Sequence, residues 1–269
     1  MPEILQLEFM RTAFIVAIMV GIVAPLVGLL LVERRMSLIG DGLGHLAFAG
    51  VGAGLVLGIE PVLAALVTAV LGAVAIEWIR ARRLAAGDRA LALMFYTGLA
   101  GGVVLISAAG QRLAGINTYL FGSILTIDET DVWRTGIASL LVATTIVFAW
   151  RGLAAVAIDE EGSAIRGVPV RSLNIVVALL TAVTVAASIR TVGVLLIGAL
   201  LVLPVMTSGL IAWSLRSTAV LGSVLGAAIA IGGLTLAYYG NWAPGGTIVL
   251  LAAAIYTVAL IATALLRRA

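Results

Sequence analysis

The chain is laid out as a series of apolar runs of about 20 residues separated by short polar breaks. Coiled as helices, runs of that length match the roughly 30 Å hydrocarbon core of a bilayer. They fall at 9–32, 37–58, 61–79, 90–110, 132–150, 172–189, 192–213, 218–239 and 246–266, so nine spans are expected. The stretch 115–127, with Ile116, Tyr119, Leu120, Phe121, Ile124 and Leu125, is apolar but too short to span, and reads as a short interfacial or re-entrant helix. Composition agrees: 62% of the 269 residues are hydrophobic and 11% charged, against roughly 45–50% and about 25% in soluble domains. The expected fold is therefore all-α: a polytopic transmembrane helical bundle of about eight or nine spans, a single domain over 1–269 with the lipid bilayer as its solvent. The first run, Phe9 to Val32, exceeds the roughly 7–15 residues of a signal-peptide core, and is expected to be retained.

All sixteen basic residues are arginine, and their placement orients the chain. With the N-terminus outside, the inner ends of the spans hold Arg34, Arg35, Arg80, Arg82, Arg83, Arg89, Arg151, Arg166, Arg171, Arg216, Arg267 and Arg268, and the outer ends hold Arg11, Arg112, Arg134 and Arg190. Cytoplasmic loops carry the excess of positive charge, so the N-terminus is expected outside and the C-terminus inside, in a multi-pass membrane protein. The arginines are scattered between apolar runs and the net charge is +3, which argues against a nucleic-acid surface. One inner loop, 151–171, is long enough to meet a partner. Asp159, Glu160 and Glu161 suit the first turn of a short helix through Ala164 and Ile165, which Gly167 and Pro169 would stop. The loop reads either as a solvated connector or as a docking helix.

Few charges fall inside the spans, and such residues are costly in lipid. Asp41 and His45 stand four apart on the second span, on one face of a helix, and His45 is the single histidine. A carboxylate and an imidazole one turn apart form half a site for a divalent transition metal, and without cysteine the chain has only oxygen and nitrogen ligands to offer. Two copies about a two-fold axis would supply four such ligands. The same pair also fits a structural hydrogen bond between neighbouring spans, and Asp41 alone fits a helix-start residue. Glu60 and Glu77 lie at span ends, and spacing does not say whether either joins a pathway. Seven glycines between Gly40 and Gly58 crowd the second span, fitting either close packing or a gating role.

Several blocks together resemble the membrane permeases of ABC-type zinc, manganese and iron uptake systems, and the resemblance covers nearly the whole chain. They are Arg35-Met36-Ser37-Leu38-Ile39-Gly40-Asp41-Gly42-Leu43-Gly44-His45; Glu77 through Gly98 with Asp88 in its loop; Tyr119-Leu120-Phe121-Gly122-Ser123-Ile124-Leu125; Asp159 to Pro169; and Val192 through Pro204. The chain departs from the family at Gly42 and Gly44, where alanine or serine is usual, and keeps the acid and the histidine. The resemblance implies an importer-type permease, a transport subunit rather than an enzyme, with no permanently bound cofactor and a divalent metal ion as its transported substrate. It implies metal coordination by Asp41 and His45, and coupling to the ATPase through the segment holding Asp159, Glu160, Ala164 and Gly167. The implied partners are a second copy of the chain, cytoplasmic ATPase subunits and an extracytoplasmic metal-binding protein. ATP would bind elsewhere, because a chain without lysine cannot build the phosphate-binding loop. Two rivals are a permease for a larger metal chelate, which needs no Asp/His pair, and an ion-coupled secondary transporter, which normally carries more acids within its spans.

Overall fold

The elements begin and end where the sequence supplies caps. A computed structural model describes residues 4–82, 87–110, 116–123, 125–194 and 196–266, and among these the chain is helical with no strand. The helices are α1 (Glu8–Glu33), α2 (Ile39–Leu57), α3 (Pro61–Ala81), α4 (Gly87–Ala108), α5 (Ile116–Phe121), α6 (Glu129–Ile158), α7 (Glu160–Ile165), α8 (Val170–Ser188), α9 (Ile197–Gly209), α10 (Leu215–Gly240) and α11 (Pro244–Leu266). Glu60 accepts a hydrogen bond from the Leu63 amide, and Pro61 opens α3 at the one position where a missing N–H costs nothing. Asp128 and Asp131 form a reciprocal capping box at α6, as do Ser214 and Ser217 at α10.

Eight of these helices are long and apolar enough to cross a membrane. They match eight of the nine expected runs. The remaining run, the seventh (192–213), is not one helix: α9 has 13 residues, about 20 Å at 1.5 Å per residue. The chain before it is irregular, turning at Gly193 with φ +87°. Hydropathy scores buried irregular backbone and helix alike, so the run looked continuous. Irregular backbone survives at membrane depth when protein buries it and satisfies its polar groups. Here the Val194 amide donates to the Tyr119 carbonyl at 2.9 Å, and the Ser123 amide to the Arg190 carbonyl at 3.0 Å. The segment starts beside α5 at one end of the bundle. The far end of α9 lies with Val32 and Glu33 at the other, around a cavity of about 520 Å³. Residues 189–209 thus cross as a broken span. The short helix expected within 115–127 is α5, six residues that stay at the end where this crossing begins.

With the broken span the described residues make an odd number of crossings, so they begin at one end of the bundle and finish at the other. Arg34, Arg35, Arg80, Arg82, Arg89, Arg166, Arg171 and Arg216 collect at the end where α1 finishes, and Arg151 lies in the last two turns of α6 leading there. Arg11, Arg134 and Arg190 lie at the opposite end. Arg83, Arg112, Ile124, Leu195, Arg267 and Arg268 fall outside the described residues, as does the side chain of Asp88.

Helix α2 is enclosed by α3, α4, α8 and α9, and its glycines are the reason neighbours come so close. A methyl group added at Gly50 would stand 2.7 Å from the Ala64 carbonyl oxygen and 2.7 Å from the Ala65 Cα of α3. One at Gly44 would stand 2.8 Å from the Val194 carbonyl oxygen, and one at Gly52 2.9 Å from the Leu105 Cβ of α4. Gly42 differs, with its nearest neighbour at 3.9 Å. Helix α11 is buried only along its first half, at Pro244, Gly245, Thr247, Ile248 and Ala252. Gly50→Ala is expected to destabilise the protein by about 1–3 kcal/mol through overpacking. Gly42→Ala is expected to leave it unchanged or slightly stabilised, since alanine is the better helix former. Thermal unfolding of the two variants in detergent checks the contrast.

Candidate functional site

The turn between α1 and α2 places Asp41 in the first turn of α2 and His45 one turn further on, on one side of the helix. Both are partly exposed. The Asp41 carboxylate lies directly against Gly198, the second residue of α9, where any side chain would collide with it. The broken span thus brings the start of a helix to a carboxylate. The first N–H groups of a helix have no partners within it and carry partial positive charge, and no side chain caps α9. Among the described residues, no hydrogen bond or ion pair engages Asp41.

His45 is held by its surroundings and left free at its nitrogen. The Phe95 ring of α4 meets the imidazole edge-on, with centroids 4.1 Å apart at 68°. Gly98 lets α4 approach the α2 backbone here, since a methyl group at Gly98 would stand 2.7 Å from the carbonyl carbon of His45. The Nδ1 atom is buried with no hydrogen-bond partner. Buried nitrogens without partners are rare in folded proteins, so this atom is available to a ligand or a water. The expected pair therefore stands on one face with both groups unengaged, which argues against a structural hydrogen bond between spans. Among the described residues no group of three or more His, Asp or Glu side chains comes together. One chain thus offers two side-chain ligands.

The other acidic candidates have structural partners. Glu60 caps α3 and pairs with Arg134 at 3.1 Å, at the end opposite the arginine cluster. Glu77 is 5% exposed and pairs with Arg80 at 3.2 Å. In the 151–171 segment, Asp159 spends its carboxylate on the Gly162 amide and so starts α7. Gly167, at φ +78°, turns the chain out of α7 in a conformation other residues rarely adopt. Glu160 turns inward, accepting from Asn174 Nδ2 at 2.8 Å and facing Arg80 at 3.5 Å. Ala164 is exposed, and the adjacent Ile165 is 88% exposed. Sequence reading missed Gly198, Asn174 and Arg34. Asn174 carried a signal, as an uncharged polar residue three places after Arg171 at the entry to an apolar run. Gly198 carried one only in standing five residues after Gly193.

The chain is similar to known membrane transport proteins over nearly its whole length. The model of the ABC 3 transport family matches residues 6–263. The manganese import system permease protein ScaB of Streptococcus parasanguinis is 35% identical over 94% of this chain and 90% of its own length. The high-affinity zinc uptake system membrane protein ZnuB of Haemophilus influenzae is 28% identical over 94% of this chain and 97% of its own. Among solved structures, a chain of PsaBC from Streptococcus pneumoniae, in complex with a Fab, superposes with a TM-score of 0.85. It is 32% identical, and the match covers 95% of this chain and 92% of that one.

Proposed function

The chain belongs to the ABC 3 transport family, and from that premise we propose that Asp41 and His45 of two copies form the transit site of a divalent-metal importer. The chain is a permease and not an enzyme, a multi-pass protein of the bacterial inner membrane whose family works with an ATPase and a substrate-binding protein. Zinc and manganese are the ions its relatives carry in their names. The observation that carries the proposal is the unengaged pair: a carboxylate and a buried imidazole nitrogen, one turn apart, neither given a partner by the fold.

Two ligands per chain are too few for a transition metal, which takes four or more. A second copy about a two-fold axis doubles the set. The exposed apolar side chains Leu38 of the α1–α2 turn and Tyr96 of α4 line one cavity with Phe95, which meets His45, and suit such a contact. Mixed oxygen and nitrogen ligands hold the ion without the tenacity of thiolates, and a transit site must release what it binds. Asp41 supplies a negative charge where an apolar tunnel would otherwise repel a cation. Gly198 leaves room for that carboxylate beside the start of α9, where the helix dipole favours a negative charge.

At the arginine-rich end, which the positive-inside rule makes cytoplasmic, α7 presents Ala164 and Ile165 to the ATPase. Asp159 and Gly167 set the start and stop of that helix.

Asp41→Ala and His45→Ala are each expected to reduce uptake of radiolabelled Mn²⁺ or Zn²⁺ to background with the protein still present in the membrane; normal uptake by both would refute the site. Gly198→Ala is expected to displace the Asp41 carboxylate and lower uptake about tenfold, the scale of a misplaced reacting group costing about 1.4 kcal/mol. Ile165→Asp should abolish co-purification of the ATPase without changing the amount of permease, and retention of the ATPase would remove α7 as its dock.

A further inference from the structure

The docking helix is joined to the metal site's helix by a chain of polar contacts that crosses four elements. Glu160 of α7 accepts from Asn174 Nδ2 at 2.8 Å. The Asn174 side-chain oxygen in turn accepts from the Arg34 guanidinium. Glu160 also faces Arg80, which is bonded to Glu77 on α3 and reaches the Met36 sulfur at 3.6 Å. Arg34 and Met36 flank Arg35, which holds φ +55° and reverses the chain from α1 into α2. The Met36 amide bonds back to the Leu31 carbonyl, and the Ile39 amide to the Met36 carbonyl. Asp41 follows in the first turn of α2.

We infer that Glu160, Asn174, Arg34 and Arg80 are positioning residues that carry displacement of α7 to the α1–α2 turn, and through it to Asp41 and His45. The inference rests on the transport reading above and names the path within it. Three features support it. The contacts are directional: the Asn174 amide has a cation on its oxygen and an anion on its nitrogen, so its orientation is fixed by both neighbours. Asn174 is 4% exposed, so water cannot take the place of either contact without opening the helix junction. Both arms also end on the same short turn, one at Arg34 and the other at Met36. Packing α7 against α8 would need no such charges; Arg34 and Arg80 are partly buried and Glu160 is half-exposed.

The test uses the transporter assembled in proteoliposomes from this permease, its ATPase and its binding protein, with Mn²⁺ or Zn²⁺ uptake and ATP hydrolysis measured together. Glu160→Ala, at a half-exposed position, should lower the number of metal ions carried per ATP hydrolysed by about tenfold, the scale of one lost hydrogen bond to a charged group. Asn174→Asp sets a carboxylate against Glu160 and should do the same. Combining Asn174→Asp with Glu160→Gln rebuilds the contact with donor and acceptor exchanged, and should restore the ratio to within about twofold of the unaltered protein. A purely structural role would lower yield or melting temperature and leave the ratio of the folded transporter unchanged. An unchanged ratio in Glu160→Ala, or a double variant no better than Asn174→Asp alone, overturns the relay. Absence of ATP-driven uptake in the unaltered transporter would overturn the transport reading and the relay with it, and shows before any substitution is made.

Discussion

Two backbone hydrogen bonds, from Val194 to Tyr119 and from Ser123 to Arg190, make the rest of the site possible. Lipid offers no partners to a peptide group, so a crossing that is not helical must find them in the protein. The pairing of 119–123 with 190–194 does this, and lets the chain descend part-way before α9 begins. A continuous helix through this run would present only its side to α2. The break instead sets the first turn of α9 against Asp41. The two family-like blocks that meet here, Tyr119–Leu125 and Val192–Pro204, are far apart in sequence and in contact in the fold.

The second dependence is on close approach around α2. Without the narrow profiles of Gly44, Gly50 and Gly98, α3, α4 and the broken span would stand further away, and the imidazole would lose its seat against Phe95. The same closeness leaves little room for further side chains, and none of the described acidic residues comes in to complete the pair. The bundle thus presents two side-chain ligands on one face, and on the proposed reading a second copy supplies the others.

Much of this was legible in the sequence, for identifiable reasons. Span length and arginine placement are set by bilayer thickness and charge, and both can be counted along a chain, so eight runs emerged as the helices expected. The seventh run misled because Val192 and Val194 are as apolar in an irregular buried strip as in a helix; Gly193 was the lone mark of the break. Asp41 and His45 were visible because helical spacing alone puts them on one face. Their lack of partners was not, since it depends on what the other spans bring near. Glu160 enters the coupling segment through the family resemblance; its inward turn toward Asn174 follows from α8 starting beside it, which spacing does not encode.

Helix α11 invites a mechanical description. It is clamped at its outer end, where Gly245 sits against the Val192 and Phe121 carbonyls, and beyond Ala252 none of its described residues is buried. Beside its Tyr256 the cavity bordered by α1, α6, α9 and α10 opens at the cytoplasmic end. The helix is therefore a cantilever, anchored at Gly245 and unsupported by the described chain beyond Ala252. Its anchor bears on the Val192 carbonyl, so any tilt of the free half would pivot on the backbone that leads into α9.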